Sequence, residues 1–339
     1  MMRFFLRGFI FLTIFFSLSD LSSGSSVHEQ LVPRVILDAD IDSDVDDAGA
    51  LAMLINLHKA GLIRLIGVIV TSDDPYAPVC ADAVNRFYGL EDIPVGFLKD
   101  QPTLKNHSRY TRYIAEEFPA ALKSWQDAEE AASLYRRLLA GSPDESVEIV
   151  TIGHLTSLQQ LLESGSDDHS PLNGYDLVQK KVRRWICMGG QFPAGKEANF
   201  YRPDPLSTVY CIGHWKKDVI FCGWEIGNLV ITGGSWLKDN LPEGHPVRRA
   251  YELYNGFAGR QSWDQIAVLL LVPGFERYVE FVYGECVVAQ DGSNTWKNQE
   301  HGEHKYVVFK KETNVAKVTR YIDGLMAGKV VLPESSGHF

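Results

Sequence analysis

The chain has 339 residues, 45% of them hydrophobic and 22% charged, with 29 Gly and 15 Pro. Those values exclude a wholly disordered, collagen-like or coiled-coil chain, and the length suffices to bury a core without disulfide staples. Lys and Arg number 33 against 43 Asp and Glu, a net charge of −10, which argues against a general nucleic-acid binder and suits a neutral or cationic small ligand or a metal cation.

The first 25 residues read as a secretory signal. Arg3 and Arg7 lead into an uncharged apolar stretch over 8–18, and small residues follow at 22–26. The stretch is too short for a comfortable membrane span, and no later segment is long and apolar enough to cross a bilayer. The expected location is therefore secreted or periplasmic, with an uncleaved N-terminal anchor as the alternative. Residues 26–339 read as a single domain. The five cysteines, Cys80, Cys187, Cys211, Cys222 and Cys286, have no metal-ligand spacing and read as buried thiols.

Strand and helix patterns alternate along the rest. A β run over 34–37 precedes a helix over 48–60 that Gly61 closes. The continuous apolar run 63–70 has the character of a strand covered on both faces. A helix over 79–88, a strand over 93–98 and two helices between 110 and 140 come next. Strands are expected over 147–152, 182–188 and 219–224, with helices over 156–162 and 264–272. The segment 278–310 differs, with clustered Val and Phe around Asp291-Gly292-Ser293, and reads as a hairpin-like insertion or an antiparallel edge. A closing helix is expected over 315–326. This alternation predicts an α/β fold of three layers, a mostly parallel sheet with helices on both faces and a small antiparallel insertion.

The strongest chemical signal is Asp38-Ala-Asp40-Ile-Asp42-Ser-Asp44-Val-Asp46-Asp47, six carboxylates in ten residues. Like charges this close repel unless a cation neutralises them. Oxygen ligands without His or Cys suit Ca²⁺ or Mg²⁺ rather than zinc. An EF-hand is excluded, because the sixth and twelfth positions from Asp38 hold Ser43 and Gly49 and a strand, not a helix, enters the loop. What remains is a strand that delivers carboxylates to the crevice at the carboxyl end of an α/β sheet. Other strand ends should then carry polar groups as well. They do, at Thr71-Ser72-Asp73-Asp74, at Gly153-His154-Leu155-Thr156-Ser157, at Gly189-Gly190-Gln191 running on to Glu197 and Asn199, and at Gly223-Trp224-Glu225.

With these patches the sequence resembles the inosine–uridine-preferring nucleoside hydrolase family, over about 35–272. Asp38, Asp40, Asp46 and Asp47 look like its opening aspartate motif, and Gly153 to Ser157 like its G-x-L-T-N turn. Met188-Gly-Gly190 with Glu197-Ala-Asn199, and Asp264 at a helix start, complete the likeness. The resemblance implies a Ca²⁺-dependent N-glycosidase acting on a nucleoside or related riboside. It implies a Ca²⁺ ion on Asp40, Asp47, the carbonyl of Thr156 and Asp264, with Asp40 also the base for the attacking water. Asp46, Glu197 and Asn199 would take the sugar hydroxyls, and Asp73 or Asp74 another sugar contact. Two departures stand out. Five residues separate Asp40 from Asp46, which makes Asp44 or Asp42 an alternative ligand. Trp263 stands where the family usually has a His that, in some members, protonates the leaving base; an indole has no useful acid, although it can stack on a ring. Trp224 reads as core. The alternative function is a non-catalytic Ca²⁺-dependent ribose-binding protein on the same fold, and a homo-oligomer stays open.

Overall fold

The computed structural model describes residues 32–100 and 103–333. The signal-peptide segment lies outside the described residues. Among them, no helix is long and apolar enough to cross a membrane.

β1 (Arg34–Ala39), β2 (Arg64–Val70), β3 (Val95–Phe97), β4 (Glu129–Glu130), β5 (Val147–Thr151), β6 (Val182–Met188), β7 (Ala194–Gly195) and β8 (Asp218–Cys222) come first. A small pair, β9 (Ile231–Thr232) and β10 (Arg260–Gln261), follows, then β11 (Val279–Val288), β12 (Asn294–Asn298) and β13 (His304–Phe309). The main sheet has the order β4-β3-β2-β1-β5-β6-β8-β13-β11-β12-β7. From β4 to β13 all neighbours are parallel, whereas β11, β12 and β7 pair antiparallel. The antiparallel part is thus the edge of the main sheet. The return strand β13 joins β8 in parallel and continues the main sheet, a long-range pairing that local pattern does not encode.

Between the strands lie α1 (Asp46–Lys59), α2 (Ala77–Phe87), α3 (Thr111–Glu117), α4 (Ala131–Ala140), α5 (Thr156–Glu163), α6 (Gly174–Lys181), α7 (Ala198–Tyr201) and α8 (Pro205–His214). After β8 come α9 (Trp224–Gly227), α10 (Ser235–Asn240), α11 (Pro246–Asn255), α12 (Trp263–Leu269) and α13 (Val315–Met326). Side chains alternate across each strand, so Leu37 and Ala39 of β1 join one core with α1, α12 and α13. Ile36 joins the other, with Leu134 and Tyr135 of α4 and Leu158 and Leu161 of α5. Two cores on two faces make the three layers. The five cysteines are all free and buried.

The helix that starts at Asp46 is almost wholly buried, from Asp46 through Leu57. A helix apolar on every side belongs inside, between sheet and outer helices. Its first two residues are carboxylates, which favour a helix N-terminus through the macrodipole. The loop that feeds it is strained. Ile41 has φ +39°, rare for a β-branched residue. Two contacts hold it there. Its side chain is 1% exposed, and its N–H donates to Asp47 Oδ1 at 3.2 Å.

Candidate active site

β2 and β5 flank β1 on opposite sides, so the loops leaving their carboxyl ends diverge and open a crevice. A cavity of about 870 Å³ occupies it. Its floor is acidic. Asp46, Asp47 and Asp264 each bring an oxygen within 4.8 Å of the others, joining the start of α1 to the start of α12. The backbone N–H of Asp264 donates to Asp46 Oδ2 at 3.4 Å. Asp46 Oδ1 is buried without a partner.

Burial drives the electrostatics, and mutual repulsion adds to it. Asp40 is held well above the usual carboxylate range by desolvation, then by the charge of Asp42. Asp47 is raised by desolvation and then by Asp40, and Asp264 by desolvation and then by Asp46. Desolvation, then Asp44, pushes Asp46 up to about 7. Buried carboxylates with no cation among them cost several kcal/mol each. A divalent cation removes that cost, and the donor set, all oxygen with an orphaned carboxylate atom in it, fits such an ion.

The strand ends supply the walls. Gly153, after β5, sits against Asp40: a Cβ there would lie 2.7 Å from the Asp40 nitrogen. From the same turn Ile152 and His154 line the cavity. Thr156 is not on the wall. It opens α5, with its hydroxyl donating to Asp204 Oδ2 at 3.0 Å and sharing a 2.9 Å hydrogen bond with His154 Nδ1. Burial lowers His154 to about 4, so it is neutral.

Past β6, Gly190 turns with φ +80° and donates its N–H to Glu197 Oε2 at 3.0 Å. Glu197 caps α7 through Oε1, which accepts from the Asn199 N–H at 2.9 Å. It is 6% exposed, and desolvation pushes it up to about 7. The Asn199 amide donates to the carbonyls of Ile152 at 3.1 Å and Met188 at 3.3 Å, tying two strand ends together at the wall.

Asp73 and Asp74 part company. Asp73 lines the cavity and pairs with His107 Nε2 at 3.3 Å. Asp74 is fully buried and off the wall. It accepts from Asn106 Nδ2 and Thr111 Oγ1, both at 2.7 Å, and from the Tyr76 N–H at 2.9 Å, and so clamps the loop that carries His107. Asp44 and Asp42 line the cavity as well. Asp44 accepts from Arg260 Nη2 at 2.7 Å and Tyr254 Oη at 2.8 Å. Asp42 accepts from Ser72 Oγ at 3.3 Å, and desolvation, then Asp74, pushes it up to about 7.

Asp38 lies behind the floor, where it accepts from Thr71 and from Tyr135 Oη. The remaining wall is aromatic. Trp263 donates its indole N–H to the Trp224 carbonyl at 2.9 Å. Trp224, expected in the core, is 39% exposed and lines the cavity, because β8 ends at Cys222 and the chain turns into α9. Arg260 and His107 are cavity residues that pattern reading missed. Neither belongs to a motif, and only the pairing of β10 with β9 and the folding back of the loop after β3 bring them in.

An open α/β sheet with a buried carboxylate cluster at its switch point has the form of a small-molecule site that could hold a metal ion. The family model for inosine-uridine preferring nucleoside hydrolases matches residues 35–324, and the chain belongs to that family. Among solved structures, a plant nucleoside hydrolase is 18% identical with a TM-score of 0.65, over 87% of this chain and 99% of its own. An inosine-uridine preferring nucleoside hydrolase from Bacillus anthracis is 17% identical with a TM-score of 0.66, over 88% of this chain and 100% of its own. A type III effector protein complexed with adenosine diphosphate ribose is 16% identical with a TM-score of 0.66, over 89% and 95%. At these identities the likeness is one of fold. A comparison with curated protein sequences gives no match.

Proposed function

We propose that the protein hydrolyses the N-glycosidic bond of ribonucleosides or related N-ribosides, with Ca²⁺ as cofactor, giving free base and ribose. The observation that carries this is the convergence of Asp46, Asp47 and Asp264 on one buried point of the cavity floor. Asp47 and Asp264 of that cluster hold the ion together with Asp40, which lines the same cavity. The turn after β5 contributes a backbone carbonyl, that of Thr156 or of Ile152, the first residue there on the cavity wall. When bound, Ca²⁺ supplies charge that orients a sugar diol and acidifies a water.

The side chains do the rest. Asp46 keeps one buried acceptor unfilled, which suits the hydroxyl proton of the sugar's 2′ position. Glu197 and Asn199 face the remaining hydroxyls from the wall, and Asp73 reaches the sugar from the end of β2. Asp40 takes the proton of the attacking water. Breaking the C1′–N bond leaves positive charge on the sugar, and the surrounding carboxylates stabilise it. Trp263 and Trp224 offer ring faces to the base.

A second reading is a non-catalytic ribose binder, favoured by the committed indole N–H of Trp263 and by a structural neighbour solved with adenosine diphosphate ribose. Ribose release from inosine and uridine, with Ca²⁺ and after chelation, tests both. The expected result is turnover that chelation abolishes, and Asp264→Asn should lose it by at least about 1,000-fold. Calorimetric binding of ribose with no turnover of any nucleoside would select the second reading. An export signal in residues 1–25 and a homo-oligomeric state belong to the same proposal.

A further inference from the structure

The reading above leaves the departing base without a partner. Its nitrogen carries away the electron pair of the C1′–N bond, and in a buried site that charge needs a proton or a cation. Arg202 also lines the cavity, with its guanidinium 4.8 Å from the centroid of the Tyr201 ring, and most other groups on the wall are committed. The Trp263 N–H goes to the Trp224 carbonyl, His154 is neutral and bonded to Thr156, His107 faces Asp73, and Lys196 pairs with Asp291 at 3.0 Å.

Arg260 differs. Its guanidinium lies 4.7 Å from the centroid of the Trp263 ring, and Trp263 directly precedes Asp264. It lines the cavity. Its Nη2 is anchored by Asp44 at 2.7 Å, and Tyr254 Oη holds the other Asp44 oxygen at 2.8 Å. Arg260 Nε is buried without an acceptor, and Nη1 reaches only Gln261 Oε1, at 3.5 Å. A fixed cation with donors left over thus stands on the aromatic wall beside the acidic floor. Asp44, one of the residues that lengthen the acidic loop, is what fixes it.

We propose that Arg260 is a catalytic residue for the departing base, stabilising as an anion a base that bears a carbonyl oxygen. This rests on the hydrolase reading above. Water adds its oxygen to C1′ and gives its proton to Asp40 while the C1′–N bond breaks. The base leaves with the electron pair as its nitrogen anion, spread onto its carbonyl oxygens and paired with Arg260. It takes a proton from solvent, and Asp40 returns one. Guanidinium never deprotonates in this range, so it acts as a fixed charge and not as an acid. Adenine bears no carbonyl oxygen and gains less from the pairing.

The test compares wild type with Arg260→Gln, with Arg260→Lys as a second variant that keeps the charge. The substrates are inosine, uridine, adenosine and 4-nitrophenyl β-ribofuranoside, whose phenolate leaves unaided. Wild type should prefer inosine and uridine over adenosine by at least about 10-fold in kcat/KM. Arg260→Gln should lose roughly 100-fold or more on inosine and uridine and less than about 5-fold on the nitrophenyl riboside, with Arg260→Lys in between. Terbium luminescence should give an ion affinity within about 2-fold of wild type. An equal loss on all substrates, or no preference by wild type between inosine and adenosine, overturns the assignment and leaves the hydrolase reading standing. Wild type that cleaves none of the four overturns both.

Discussion

Replacing Gly153 with Ala probes how tightly the turn after β5 sets the acidic loop. The φ of Gly153 is not in the left-handed region, so the backbone accepts Ala and the effect is one of space. A Cβ would sit 2.7 Å from the Asp40 nitrogen, 3.0 Å from its Cβ and 3.1 Å from its Cγ. Ordinary contact begins at 3.4 Å, so either the turn or Asp40 must yield by about 0.7 Å. The nearest atom is backbone and cannot swing away, and the loop beyond it is already strained at Ile41. Misplacement of a catalytic group by ~1 Å costs about 100-fold, so kcat for ribose release should fall roughly 10- to 100-fold. Overpacking should also cost about 1–3 kcal/mol of stability. Steady-state ribose release, a terbium titration and a thermal melt on one preparation separate the effects. A variant with kcat within 2-fold of wild type and unchanged ion affinity would refute the claim that Gly153 positions Asp40.

In chelator, stability should fall as pH rises. Desolvation raises Asp38 to about 7, so the folded state keeps a proton that the unfolded chain releases near 4. The contribution of this group, about 4 kcal/mol, is complete below the unfolded value of 3.8 and is lost as pH rises through about 7. Denaturant midpoints at pH 5 and 7.5 check the sign, and Ca²⁺ should flatten the slope by displacing protons from the neighbouring cluster. His245 works the other way. Burial lowers it to about 4, so its neutral form stabilises at neutral pH, and that contribution disappears as pH falls from about 6.5 to 4. Arg136→Met should destabilise by roughly 1–3 kcal/mol, because Arg136 is 3% exposed and donates to Asp167, Ser164 and the carbonyls of Ser170 and Leu172. Its thermal shift should come without a change in kcat. Asn199→Ala frees the carbonyls of Ile152 and Met188 and should raise KM for inosine at least about 10-fold while terbium still binds, as fluorescence titration would report.

The sequence by itself determined the layers and the chemical character of the site. Strand and helix periods are local, and the run from Asp38 to Asp47 is contiguous, so its repulsion is legible without any fold. Tertiary structure decided which oxygens meet. Asp264 reaches Asp46 only because α12 packs on α1 across more than two hundred residues. The split between Asp73 and Asp74 depends on a loop that returns from beyond β3. Trp224 gained a place on the wall because β8 ends two residues early. Arg260 could not be read at all. Its partners, Asp44, Tyr254 and Trp263, are assembled by packing, and a lone arginine carries no pattern that pairwise distance in sequence can reveal.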